Sequence, residues 1–358
     1  MRKDALVVVI AGIAVGAAAL ILVAAGNPKN MGLCIACFER DIAGALGLHD
    51  FKNSAWIRPE IIGIILGAMT ASFIWKEFRP EGGSSPATRF LLGMFVMIGA
   101  LVFLGCPLRM ILRLGGGDLN AVVALAGFVA GIWGSVLFLK SGFNLGRTQK
   151  LGKPEALIFP AIAILLLLLV IFLPLFKAGG PIYSGPGGHP GAGDKPVVGV
   201  GPGILISLIA GLVVGIIAQR SRLCLAGGVR DMILIRSPHL LLGSVAILAV
   251  VLIGNIVFGN FNFGFENQPV AHSGHVWNFL GMGLVGAASV LLGGCPLRQL
   301  VLAGRGNTDS VIAVMGMVVG AAFVHNFGLA KAASGYGKAA VFTGLGLCVV
   351  LGLLNREK

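Results

Sequence analysis

Four cysteines, Cys34, Cys106, Cys224 and Cys295, stand in patterns that occur twice, and sulfur at repeated positions points to binding or redox chemistry. Gly105-Cys106-Pro107-Leu108-Arg109 returns 189 residues later as Gly294-Cys295-Pro296-Leu297-Arg298. The match runs on without a gap, LRLGGGDLNAVVALAG (112–127) lying over VLAGRGNTDSVIAVMG (301–316). A second motif repeats at an offset of 190: Cys34-Ile35-Ala36-Cys37-Phe38-Glu39-Arg40-Asp41 lies over Cys224-Leu225-Ala226-Gly227-Gly228-Val229-Arg230-Asp231. Proline is favoured in the first turn of a helix, so Cys106 and Cys295 are each expected to cap a short helix. A thiol there faces unpaired backbone N–H groups and the positive end of the helix dipole, a setting that attracts anions. Arg109 and Arg298 follow three residues on, Arg113 lies one turn beyond Arg109, and Arg40 and Arg230 hold equivalent places in the other motif. Sulfur, free amides and guanidinium groups thus converge, which suits a small, soft anion.

Other chemistry is less well supported. The six cysteines are too scattered for a disulfide framework, and Cys34/Cys37 form a lone CxxC without a second pair, so no metal site is assigned. That CxxC leaves open a membrane thiol-redox or persulfide relay enzyme, but its second cysteine becomes Gly227 in the other copy. A free buried cysteine is commonly a small core residue, which is the reading for Cys348. Double placement by the repeat argues against it for the other four. No nucleotide loop or haem-type histidine pair is present, so no cofactor and no enzymatic site are assigned. His325 and Asn326 read as interhelical hydrogen-bonding residues. His189, His272 and His275 read as solvated.

The elements that must position these residues are membrane spans. Of the 358 residues, 56% are hydrophobic and 11% charged, more apolar surface than one soluble core can bury. Ten apolar blocks, near 5–25, 57–76, 89–105, 119–139, 155–176, 201–219, 238–258, 276–293, 309–328 and 338–354, are long enough to cross ~30 Å of hydrocarbon. The first, after Arg2-Lys3, exceeds a signal-peptide core and reads as a signal anchor. Segment 31–48 is too short and charged to span and reads as a re-entrant half-helix, tolerated at membrane depth only where protein or a wet cavity surrounds it.

Five spans per copy force the second copy to be inverted. The expected fold is an all-α polytopic membrane protein of about ten transmembrane helices in two inverted five-helix repeats, 1–176 and 201–358, joined by the Gly/Pro-rich linker 177–200. The net charge of +13 is strung through loops rather than gathered in a stripe, so it sets topology and does not mark a nucleic-acid binder. With both termini cytoplasmic, the inside loops hold most Lys and Arg, and loop 259–275 holds neither. Lys29, Arg40, Lys52, Arg58, Arg109 and Arg113 are the outside exceptions and read as functional charges. Cys34 and Cys106 then face the outer mouth of an hourglass, Cys224 and Cys295 the inner.

Cys34…Arg40-Asp41, Gly105-Cys106-Pro107, Cys224…Arg230-Asp231 and Gly293-Gly294-Cys295-Pro296 resemble the YeeE/YedE family of bacterial inner-membrane permeases for sulfur and selenium compounds. The resemblance covers essentially the whole chain and is closest to the selenium-linked YedE branch. It implies a cysteine-lined hourglass pore, with Cys34, Cys106 and Cys295 matching the family's pore cysteines, and a substrate that is a selenium species or thiosulfate-like. A third reading is a scaffold that docks a cytoplasmic sulfur or selenium carrier protein on the basic inner loops.

Overall fold

The computed structural model describes residues 2–49, 51, 56–172, 203–332 and 334–356. The linker 177–200, with His189, lies outside them, as does Lys52. Ten long helices coincide with the ten apolar blocks: α1 (Arg2–Ala24), α3 (Pro59–Ile74), α4 (Pro86–Phe103), α6 (Asn120–Lys140), α7 (Lys153–Phe172), α8 (Ile204–Ser221), α10 (Leu241–Val257), α11 (His275–Leu292), α13 (Thr308–Asn326) and α14 (Gly335–Leu354). Four short helices fall on the repeated motifs: α2 (Ile35–Ala45), α5 (Pro107–Gly115), α9 (Leu225–Ile235) and α12 (Pro296–Gly304). By length and hydropathy, eight helical segments qualify as spans, some joining a long helix to the short one after it. The two shorter apolar helices, α3 and α10, are equivalent in the two copies. Interrupted or short spans at matching places in two repeats are where transporter folds build their binding sites. The chain is an all-α polytopic membrane protein.

The order long–short–long–long–short–long–long of α1–α7 recurs as α8–α14. Equivalent helices run antiparallel: Arg89, at the start of α4, donates to the Leu292 carbonyl at the end of α11, while His272, just before α11, meets the Val102 carbonyl near the end of α4. The copies also exchange partners symmetrically, α8 lying along α3 as α1 lies along α10. A Cβ on Gly211 of α8 would stand 2.3 Å from the Glu60 carbonyl of α3, and one on Gly12 of α1 2.3 Å from the Gly243 carbonyl of α10. Helices in lipid gain little from hydrophobic association and depend on such close backbone approach, one use for the 56 glycines.

Loops gather on two faces. One holds the short ladder of β1 (Glu81–Gly82) with β2 (Gln149–Lys150), joined by Asn307, and also the pairing of Phe143 with Arg356. The other joins Asp118 to Gly264 and ties Asn326 to the Leu48 carbonyl. Asn326 thus bonds a loop carbonyl beyond α2 rather than another helix, and His325 stacks on His49 and Phe51 with its Nε2 unpaired. His272 departs from its expected solvation. It is partly buried on the Val102 carbonyl and accepts from the Gly274 amide. Burial, its largest influence, lowers its pKa, against the pull of the Val102 bond. A loop packed over helix ends needs such a plug, which composition does not reveal.

Candidate functional site

Each short helix begins at a motif cysteine. Cys106 and Cys295 are N-caps of α5 and α12 with proline next, as their sequence requires. Cys34 and Cys224 cap α2 and α9, their sulfurs accepting from the amides of Cys37 (3.4 Å) and Gly227 (3.2 Å). The fold then brings the caps together in pairs. Cys34 and Cys106 Sγ are 3.9 Å apart, and Cys224 and Cys295 Sγ 3.7 Å apart, all as free thiols. At each pair two helix N-termini converge. The Cys295 amide points at Cys224 Sγ, 3.5 Å away, and the amides of Ala36 and Arg109 point at Cys106. Such a point concentrates N–H donors and positive potential beside a polarizable sulfur.

The motif glycines have a physical reason. A Cβ at residue 105 would stand 2.9 Å from Arg109 Cδ, and one at 294 would stand 3.0 Å from Arg298 Cγ. Glycine lets the arginine stem fold back over the chain just before the cysteine. Helix α4 ends at Leu104 and α11 at Gly293, both left-handed (φ +67° and +91°), which turns the chain sharply into each motif.

Beyond the sulfurs the surroundings of the two pairs differ. At the first, Arg109 is fully buried and spends its donors on the carbonyls of Asn30, Leu104 and Val270 and on Cys37 Sγ. Arg113 pairs with Asp118 (2.6 Å), donates to the Phe103 carbonyl and lies over the Phe103 ring. Asp41 holds Arg40 and Arg58, each at 2.6 Å. Arg58 also bonds Asn27 and is sandwiched by Phe38 and Trp56, while Asn27 reaches Glu60. At the second pair, Arg230 bonds its neighbour Asp231 and is partly exposed. Arg298 instead faces a cavity with Arg222, Arg305 and Arg79.

The structure thus brings Cys34, Cys106 and Arg109 together, and Cys224, Cys295 and Arg298. Arg40, Arg113 and Arg230 are engaged with neighbouring carboxylates. Cys348 is buried within α14, away from both pairs, in keeping with packing. Asp118 and Asn307 accept from the amides of Asn120 and Ser310, as capping residues do. The sequence reading did not single out Asn27, Glu60, Arg79, Arg222 or Arg305. For the last two a signal existed, since aligned copies put glycines, Gly32 and Gly116, where these arginines stand.

A polytopic membrane protein with two mirrored thiol pairs, each at crossed helix N-termini, is the class these features define. Residues 220–346 match the family described as "Sulphur transport". A 116-residue stretch is 30% identical to the thiosulfate transporter TsuA of Escherichia coli (strain K12), covering 32% of this chain and 32% of that protein. Each likeness spans about a third of the chain, and the chain covers about a third of that relative's length.

Proposed function

We propose that the chain is a transporter that moves a small soft anion, thiosulfate-like or a selenium species, across the bacterial inner membrane between its two thiol pairs. The observation that carries this reading is the duplicated geometry: two sulfur pairs, 3.9 and 3.7 Å across, each where two helix N-termini meet. Crossed N-termini supply attraction for any anion. Sulfur supplies identity, because a polarizable thiol suits a terminal sulfur or selenium better than a hard oxygen. A ~100-fold preference over sulfate needs only ~2.7 kcal/mol, within reach of a few such contacts in a dry constriction.

The face bearing Lys76, Arg79, Arg147, Lys150, Arg220 and Arg222 is the cytoplasmic one by the positive-inside rule, which puts both termini there. Cys34 and Cys106 then serve the outer mouth, and Cys224 and Cys295 the inner. The boundaries 1–176 and 201–358 describe the two repeats. The thiol-relay alternative finds little support: Cys34 lies against Cys106, Cys37 touches Arg109, and Gly227 replaces Cys37 in the second copy. The test is uptake of labelled thiosulfate into proteoliposomes of the purified chain, with excess sulfate or selenite added outside. The reading expects uptake that selenite inhibits and sulfate barely does. No uptake, or competition by sulfate equal to selenite's, contradicts it.

A further inference from the structure

Glu77, Arg79, Gln219, Arg222, Arg298 and Arg305 line a cavity of about 140 Å³ at the second mouth. Four guanidinium groups face one carboxylate. Glu77 is already shared, taking Gln219 Nε2 at 2.8 Å and Arg220 at 3.6 Å, and Arg305 is held by Glu81. The side chains of Arg79, Arg222 and Arg298 have no hydrogen-bond or ion-pair partner among the described residues. Arg298 Nη1 and Arg305 Nε are buried and unpaired. Buried donors without partners are rare in folded proteins and call for an explanation, the more so where like charges crowd together. Arg305, in the loop after α12, has its pKa pushed below the usual arginine value. Burial is the main cause; Glu81 opposes it, and Arg79 and Arg222 add to it.

The fold itself does not require this charge. In the aligned first copy the places of Arg222 and Arg305 belong to Gly32 and Gly116. There, added Cβ atoms would stand 2.0 Å from the Ala19 carbonyl and 2.1 Å from Asn30 Oδ1. The same scaffold therefore closes one end with the Ala19 backbone and the Asn30 side chain and lines the other with guanidinium. Arg222 and Arg79 are exposed and Arg305 and Arg298 half-buried, and Arg298 stands in the first turn of α12, the helix that Cys295 caps, so the cavity adjoins that thiol. The cavity has room for several waters, or for one tetrahedral oxyanion with water beside it. Planar guanidinium forks match the paired oxygens of such an anion. No sulfur lines the cavity, so it has no means of telling a soft anion from a hard one.

We propose that this cavity is a second binding site, which takes small divalent oxyanions, sulfate included, by charge and hydrogen bonding alone. Binding there does not depend on the transport reading. Its place as the station between Cys295 and the aqueous face rests on that reading.

The test is equilibrium binding of labelled sulfate to the purified full chain in zwitterionic nanodiscs. The proposal expects saturable binding that unlabelled thiosulfate displaces with similar strength. Arg222→Gln and Arg79→Gln, both exposed positions where folding is not at stake, should each weaken it about tenfold, the order of one charge-assisted contact. Cys295→Ser should leave it unchanged. Absence of saturable binding, or indifference to both arginine variants, overturns the site. Loss in Cys295→Ser merges it with the thiol pair and overturns its independence. Soluble short-chain phosphatidylglycerol should displace sulfate no better than chloride at equal ionic strength; displacement at low concentration would assign the cavity to a lipid headgroup instead. A chain that binds sulfate as expected but moves no thiosulfate would sink the transport reading and leave this site standing.

Discussion

The two thiol pairs share a sulfur geometry and differ in how their surroundings handle charge. At the first, four buried arginines face carboxylates, carbonyls and aromatic rings of the protein itself. At the second, Arg79, Arg222 and Arg298 face a cavity. Duplication fixed what both copies need, a cysteine at each crossed N-terminus, and left the surroundings to diverge. All four cysteines are buried, so the pairs differ in what surrounds them: ion pairs and carbonyls at the first, an arginine-lined cavity beside the second.

The largest difference should appear in stability. Asp41 compensates two buried cations, and removing one member of a buried ionic cluster costs about 3–5 kcal/mol. Its counterpart Asp231 pairs a partly exposed Arg230, a contact of under about 1 kcal/mol. Thermal unfolding in detergent should therefore show Asp41→Asn strongly destabilised and Asp231→Asn near wild type. Equal shifts would erase the distinction between the two surroundings.

The motif arginines should separate next. Arg109→Gln strips donors from the carbonyls of Asn30, Leu104 and Val270, at about 1–3 kcal/mol for each one left buried and unpaired. Arg298→Gln relieves crowding instead. We expect the first to lower the melting temperature, and the second to keep it while weakening uptake about tenfold for every accepted anion. A reversal of these two patterns would mean that the charge asymmetry has no functional sense.

The smallest effect should be that of Cys37→Ala. The second pair manages with Gly227, and Cys37 offers only a 3.4 Å contact to Arg109. Uptake should stay within about threefold of wild type. Abolished uptake would return the Cys34/Cys37 pair to the centre of the chemistry.

Much of this was legible in the sequence, for physical reasons. The ten long helices follow from hydropathy because lipid demands it, and α5 and α12 follow from a proline, which is favoured in the first turn of a helix. One identical motif and one half-matched motif, at offsets of 189 and 190, exposed the duplication. That Cys34 and Cys106 share one end followed from the repeat and the loop charges, but their direct contact at 3.9 Å was not legible, since it depends on how α2 and α5 pack. Nor was the direction of Arg109. Arg109 and Arg298 are equivalent in sequence, yet one bonds carbonyls from loops elsewhere in the chain and the other a cavity shaped by Arg222 and Arg305. Sequence spacing locates a side chain along the chain and cannot say which distant backbone will receive it.

The most direct test of the central claim, that an anion must pass both sulfur pairs in series, is labelled thiosulfate uptake by Cys106→Ser and Cys295→Ser proteoliposomes. Each change replaces one sulfur by one oxygen at a buried cap, so the variants should insert and melt close to wild type. The account predicts that either substitution alone abolishes uptake. Full uptake by the Cys106→Ser, Cys295→Ser double variant would contradict it.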